Sequence, residues 1–127
     1  MSHRILLAGP KTQQINNYAA YLSQLGYIVR TTSTGLGCLT ILRNWYPDLM
    51  VMNPDMYWGS GMGVLGVMYE ESSISVIPVL LLADDSARVK TEVQPEWPCH
   101  LLQNSISPFQ LSEIVEEFLH QSELIEI

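Results

Sequence analysis

Positive charge is scarce in this sequence. Lys and Arg number six, at Arg4, Lys11, Arg30, Arg43, Arg88 and Lys90, against thirteen acids, for a net charge of −7. So few scattered cations give no basic stripe to track phosphates, which argues against direct nucleic-acid binding. Cysteine is scarcer still. Cys38 and Cys99 stand far apart and outside any CxxC or Cys/His cluster. They read as small buried hydrophobes in a reducing compartment rather than as a disulfide or a metal site. Long apolar runs are missing too. None approaches the ~20 residues of a membrane span, and no charged-then-apolar leader opens the chain, so no membrane is expected and the expected location is cytoplasmic. Charged residues are only 15% of the chain and hydrophobic ones 47%, a balance that excludes disorder. With no repeat, linker or low-complexity stretch, the 127 residues read as a single domain, 1–127.

What is present is an alternation of short apolar runs and helical spacings. The run Leu49-Met50-Val51-Met52 lies between Pro47 and Pro54. It reads as a strand, residues 48–53, buried on both faces of a parallel sheet. Residues 4–8 form an earlier strand, ended by Gly9-Pro10. Residues 12–26 have helical spacing through Ile15, Tyr18, Ala19, Leu22 and Leu25, with Gly26 as the stop. Residues 27–31 are a second strand, and the polar turn 31–34 offers capping hydroxyls. Residues 35–45 predict a helix with Cys38, Ile41, Leu42 and Trp45 on one face. A loop at 54–61 and a Gly-weakened helix at 62–71 follow. Residues 76–83 are the strongest strand. A short helix from Asp84 to about Glu92 is bounded by Pro95 and Pro98. Residues 99–103 are a fifth strand. Ser107, Pro108 and Gln110 then make a capping box for a last helix striped by Leu111, Ile114, Val115 and Phe118, with a solvated Glu-rich tail. Five strands alternating with five helices imply an α/β, flavodoxin-like parallel sheet of order 2-1-3-4-5, with helices on both faces.

At this level the chain resembles the receiver domains of bacterial response regulators, the CheY-like family. The resemblance rests on Arg4-Ile-Leu-Leu-Ala8, Leu25-Gly-Tyr-Ile-Val29, Pro47-Asp-Leu-Met-Val-Met52, Gly61-Met-Gly-Val-Leu65, Ile77-Pro-Val-Leu-Leu-Leu82 and Ile106-Ser-Pro108 with Leu111. It implies a set of functional positions that this sequence does not fill. The magnesium-holding acid pair after strand 1 falls on Gly9 and Pro10. The phosphate-accepting aspartate falls on Asn53, the strand 4 Thr or Ser on Ala83, and the switching aromatic of strand 5 on Leu101. The strand 5 lysine and the proline after it fall on Asn104 and Ser105. Each loss has a chemical meaning. Neutral Asn offers no anionic oxygen to attack a phosphoryl donor. Magnesium beside a phosphate needs carboxylate ligands. The lysine supplies the point charge that balances the phosphoryl group. The resemblance therefore implies a degenerate, or pseudo-, receiver.

Asp55, two residues past Asn53, is a rescue candidate for the phosphoacceptor, against the plainer reading of a turn aspartate. Asp84 and Asp85 follow strand 4 and, with Asp55, are candidates for a displaced cation site, against the plainer reading of a helix cap and first turn. His100 reads as a partly buried lone histidine, since His3 and His120 give it no cluster. The glycines of residues 59–63 follow strand 3 and lack a P-loop lysine, so they read as a loop. Tyr57, Trp58 and Trp97 lie in predicted loops, as binding aromatics or as cover for the emptied pocket.

The expected function is a protein–protein interaction module of two-component or phosphorelay signalling, not an enzyme, without Asp phosphorylation and with Mg2+ binding lost. Its partner is a signalling protein (a kinase, regulator or output protein) or a second copy in a homodimer. The face implied by the resemblance is that of helix 4, strand 5 and helix 5. A second reading stays open: a flavodoxin-like small-ligand binder or enzyme using Asp55, Ser60, Asp84 and Asn104. No paired acid and base, activated nucleophile or cofactor fingerprint accompanies those residues. A third reading keeps unusual phosphorylation at Asp55.

Overall fold

Three strands are buried almost end to end. A computed structural model describes residues 2–56, 61–83 and 99–125. In it β1 (Arg4–Ala8) is exposed only at Arg4, while β3 (Leu49–Met52) and β4 (Val79–Leu82) are buried at every position. Such strands must sit in the middle of a sheet covered on both faces. They do. With β2 (Ile28–Thr32) and β5 (Cys99–Leu102) they form one parallel sheet of order β2-β1-β3-β4-β5. This is the order expected from the alternation of elements.

Among the described residues the helices are α1 (Gln13–Gln24), α2 (Gly35–Asn44), α3 (Gly61–Glu70) and α4 (Pro108–Ile125). The period of two along each strand divides the core. Leu6, Ala8, Met50, Met52, Val79 and Leu81 pack with Cys38, Leu42, Val64, Leu65 and Met68 of α2 and α3. Ile5, Leu7, Leu49, Val51, Leu80 and Leu82 pack with Ile15, Tyr18 and Leu22 of α1 and Leu111, Val115 and Leu119 of α4. Each such side chain contributes about 1.5–3 kcal/mol by leaving water.

The caps expected at the 31–34 turn and at Ser107 are formed, and Thr12 adds one that was not expected. Thr12 Oγ1 accepts from the Ile15 N–H at 3.3 Å, and Thr34 Oγ1 from the Gly37 N–H at 2.9 Å. At α4, Ser107 Oγ accepts from the Gln110 N–H at 3.1 Å and Gln110 Oε1 accepts from the Ser107 N–H at 3.1 Å. This reciprocal pair is the capping box. Gly26 takes φ +97° just past α1, a conformation that glycine adopts without steric cost.

Several boundaries differ from the sequence reading. Leu25 was expected on the buried stripe of α1, but it is the C-cap residue and 54% exposed. β4 begins at Val79 rather than at residue 76, and Val76 is exposed. β2 extends to Thr32, and α4 continues into the Glu-rich tail as far as Ile125. The helix expected from Asp84 to about Glu92 lies outside the described residues, as do Tyr57, Trp58 and Trp97.

Cys38 is buried, and desolvation pushes its thiol up to about 12. It behaves as an inert hydrophobe. Cys99 is half-buried, with its Sγ 3.7 Å from the Tyr69 hydroxyl.

Candidate functional site

The carboxyl ends of the strands are where an open parallel sheet places its chemistry. Ala8 pairs with Met52 across β1 and β3, so the next residues, Gly9 and Asn53, emerge side by side. The Asn53 N–H donates to the Ala8 carbonyl at 2.8 Å, and the Gly9 N–H to the Thr32 carbonyl at 3.0 Å. Contact here is tight. A Cβ added to Gly9 would lie 3.0 Å from Asn53 Cβ and 3.4 Å from Ile15 Cδ1. The position that the resemblance assigns to an acid is thus packed against the position it assigns to the phosphoacceptor.

Asn53 is occupied with its own turn. Its Oδ1 accepts the Asp55 N–H at 3.0 Å, and the Met56 N–H donates to the Pro54 carbonyl at 2.9 Å. The turn-capping role read for Asp55 therefore belongs to Asn53, and the Asp55 side chain is exposed. An Asx turn of this kind needs only a side-chain oxygen, which Asn supplies as well as Asp does.

Two more of the degenerate positions are apolar packing. Ala83 and Leu101 lie against the α2/α3 half of the core. The Ala83 N–H donates to the Leu102 carbonyl at 3.0 Å, closing the sheet at the β4–β5 tip.

The loop after β5 is held by α1. Gln14 Nε2 donates to the Asn104 carbonyl and, at 3.1 Å, to Tyr18 Oη. Tyr18 Oη in turn donates to the Ile106 carbonyl at 2.5 Å. The Tyr18 side chain is buried, and desolvation raises its phenol above the usual range, opposed by the Gln14 hydrogen bond. Asn104, which matches the family's strand 5 lysine, and Ile106, one residue past the position that matches its proline, are therefore held through their backbone carbonyls. Neither Gln14 nor Tyr18 was singled out as a site residue, because both belong to an ordinary amphipathic helix and the contacts span some 90 residues.

Pro10 is half-buried and Ser105 exposed. Asp84 and Asp85 lie outside the described residues, as does Ser60. His100 is exposed rather than partly buried, its ring 5.3 Å from that of Phe118. Among the described residues no group of three or more His, Cys, Asp or Glu converges.

No known family profile matches the chain. Solved structures do. A CheY-like response regulator receiver domain from Methanospirillum hungatei aligns with a TM-score of 0.85 at 17% identity, over 97% of this chain and 98% of its own. The receiver domain of a sensor histidine kinase from Pseudomonas aeruginosa, with magnesium coordinated in its active-site cleft, aligns with a TM-score of 0.81 at 16% identity, over 94% and 99%. The chemotaxis response regulator CheY4 of Vibrio cholerae gives 0.81 at 17%, over 93% and 99%. The fold is that of CheY-like receiver domains. At these identities the likeness describes the scaffold, and it is the residues at the strand tips that bear on function.

Proposed function

We propose that this chain is a receiver-type module of two-component signalling that works by protein–protein contact, without phosphoryl transfer to aspartate and without bound magnesium. One observation carries the reading. Where β1 and β3 end, Gly9 and Asn53 are packed together, with Pro10 next in the chain, and none of these three residues carries a carboxylate. A receiver needs there both an anionic nucleophile and hard oxygen ligands for a cation.

The output is then a fixed surface rather than a switched one. Tethering of the loop after β5 by Gln14 and Tyr18 supports this, since it holds that loop without a phosphoryl group or a lysine. The surface proposed for a signalling partner or a second copy is that of β5 and the exposed side of α4. Among the described residues no helix is long and apolar enough to cross a membrane.

The test is an amide NMR spectrum of the full chain with and without magnesium and beryllofluoride, the acyl-phosphate mimic. The expected result is no shift at Asn53, Ala83 or Asn104. Saturable shifts around Asp55 would overturn the reading and establish a displaced, working phosphoryl site.

A further inference from the structure

Charge is divided along this chain. All thirteen Asp and Glu residues lie from Asp48 onward, and residues 1–47 carry Arg4, Lys11, Arg30 and Arg43 with no acid. Asp48 lies beside Arg4 and Glu71 pairs with Arg43, but the outer strands of the sheet keep part of the division: Arg30 is on β2, and Glu113 and Glu117 lie on α4, beyond β5.

At the β2 edge, Arg30 stacks its guanidinium 4.8 Å over the Trp45 ring, and Arg4 lies 5.7 Å from the same ring. Stacking on an indole holds a guanidinium in place while leaving its donors free. Arg30 has no carboxylate partner among the described residues. On the same face of β2 stands Ile28, 47% exposed, and Tyr46, next to Trp45, is 60% exposed. Among the described residues, four of the six exposed large hydrophobics (Leu25, Ile28, Leu36 and Tyr46) fall between residues 25 and 46. The edge is therefore both apolar and cationic.

Beyond β5 lies its complement. A groove of ≈ 480 Å³ is lined by Ile106 and Ile114, with Glu113, Glu117, Gln103 and Gln110 around them. Glu113 and Glu117 are one helical turn apart on α4, exposed, and without an ion pair among the described residues. Like charges at this spacing repel, and a cation between them relieves the repulsion. An isoleucine beside an arginine fits such a groove, the apolar chain on Ile106 and Ile114 and the guanidinium between the two carboxylates.

We propose that this chain associates head to tail with a second copy of itself, the β2 edge of one molecule (Ile28 and Arg30) seating in the groove beside β5 and α4 of the next. Charge decides against the symmetric alternatives. A two-fold contact through β2 sets Arg30 against Arg30, and one through the groove sets the glutamates against each other. Because the two faces lie on opposite edges, the contact does not close as a dimer and continues into a chain or ring. The proposal deepens the function given above, since the groove lies on the face assigned there to partners. The two fail separately, because beryllofluoride shifts bear on the pocket and association bears on the edges.

The test is sedimentation velocity on the full chain. At an ionic strength of about 20 mM the mass of the wild type should rise with concentration, and at about 0.5 M it should fall back toward the monomer, because exposed charges are then screened. Arg30→Glu should weaken association by tenfold or more, about 1.4 kcal/mol. The double variant Glu113→Gln/Glu117→Gln should do the same. Mixed together, the two variants should form a 1:1 complex and nothing larger, because each keeps only one working face. All these positions are exposed, and circular dichroism checks the fold. Should Arg30→Glu fail to fold, Arg30→Gln takes its place with the same expected direction. A wild type that stays monomeric at low salt overturns the proposal. So does association unaffected by the Arg30 substitution, or a mixture of folded variants that remains monomeric.

Discussion

Met52 and Asn53 are neighbours in the chain but belong to regions under different constraints. Met52 is fully buried, as are the residues around it in β1, β3 and β4. Its side chain fills one half of a closely packed core, where a lost methylene is felt. Asn53 stands one residue further on, half-buried at the strand tip, touching Gly9 and accepting one loop N–H. The sheet interior has kept everything the receiver fold requires. The tip meets what the turn requires, and at Gly9, Pro10 and Asn53 it carries no carboxylate. Burial of the strands does not depend on what their ends carry, so one scaffold can stand with different residues at its tips.

The comparison breaks first if the interior proves tolerant. Leu80 is fully buried between β4 and the α1/α4 layer. Leu80→Ala should cost about 2–5 kcal/mol in urea-melt stability, from lost transfer energy and the residual cavity. A cost below about 1 kcal/mol would mean that the core relaxes freely, and that the contrast with the tips is one of degree.

A smaller effect is expected where interior and tip meet. Tyr18→Phe keeps the buried ring and removes the hydroxyl that donates to the Ile106 carbonyl. The expected loss is about 1–3 kcal/mol, the cost of leaving a part-buried carbonyl unmatched. Hydrogen exchange at residues 104–106 should speed up along with it. Unchanged exchange there would show that the loop after β5 is held by something other than α1.

What could be read from the chain beforehand follows the same division. The strand order and both core faces were legible because burial writes itself into runs such as Leu49–Met52 and into the spacing of Ile15, Tyr18 and Leu22. The misreadings fall where a run outlasts its element. Leu25 continues the stripe, but Gly26 with its positive φ has already ended the helix. Val76 and Ile77 continue the apolar run, yet β3 pairs with β4 only over Val79–Leu81. At the site, the missing acids were legible because identity alone decides them. The Gly9–Asn53 contact and the Gln14–Tyr18 tether were not, because they join residues distant in sequence, and no local pattern reports such pairs.

At the tip itself, restoring one group should restore nothing. Asn53→Asp returns the nucleophile but leaves Gly9 and Pro10 unable to ligate magnesium and Asn104 without the lysine charge. Its carboxylate still accepts the Asp55 N–H, so stability should change by less than about 1 kcal/mol. Incubation with acetyl phosphate and magnesium should give no phosphate adduct by mass spectrometry. An adduct would show that the remaining tip is competent and that Asn53 alone disables it.

The smallest effect belongs to the surface, where neither constraint operates. Arg43 holds Glu71 in a two-point pair at 2.9 and 2.7 Å, and Ser73 adds a hydrogen bond at 2.6 Å. The Arg43 hydrogen bonds, then that from Ser73, lower the Glu71 carboxyl from 4.5 to about 2. A carboxyl lowered in the folded chain binds its proton more readily when unfolded, so it stabilises the fold above pH 4.5. That contribution is lost as pH falls from about 4.5 toward about 2. Both partners are well exposed, and pairs of this kind contribute little. The wild type should therefore melt slightly above Glu71→Gln at pH 7, with the two melting temperatures converging as the pH approaches 2. A gap that stays constant down to pH 2 would mean that the ionised pair contributes nothing and that Glu71 acts through packing alone.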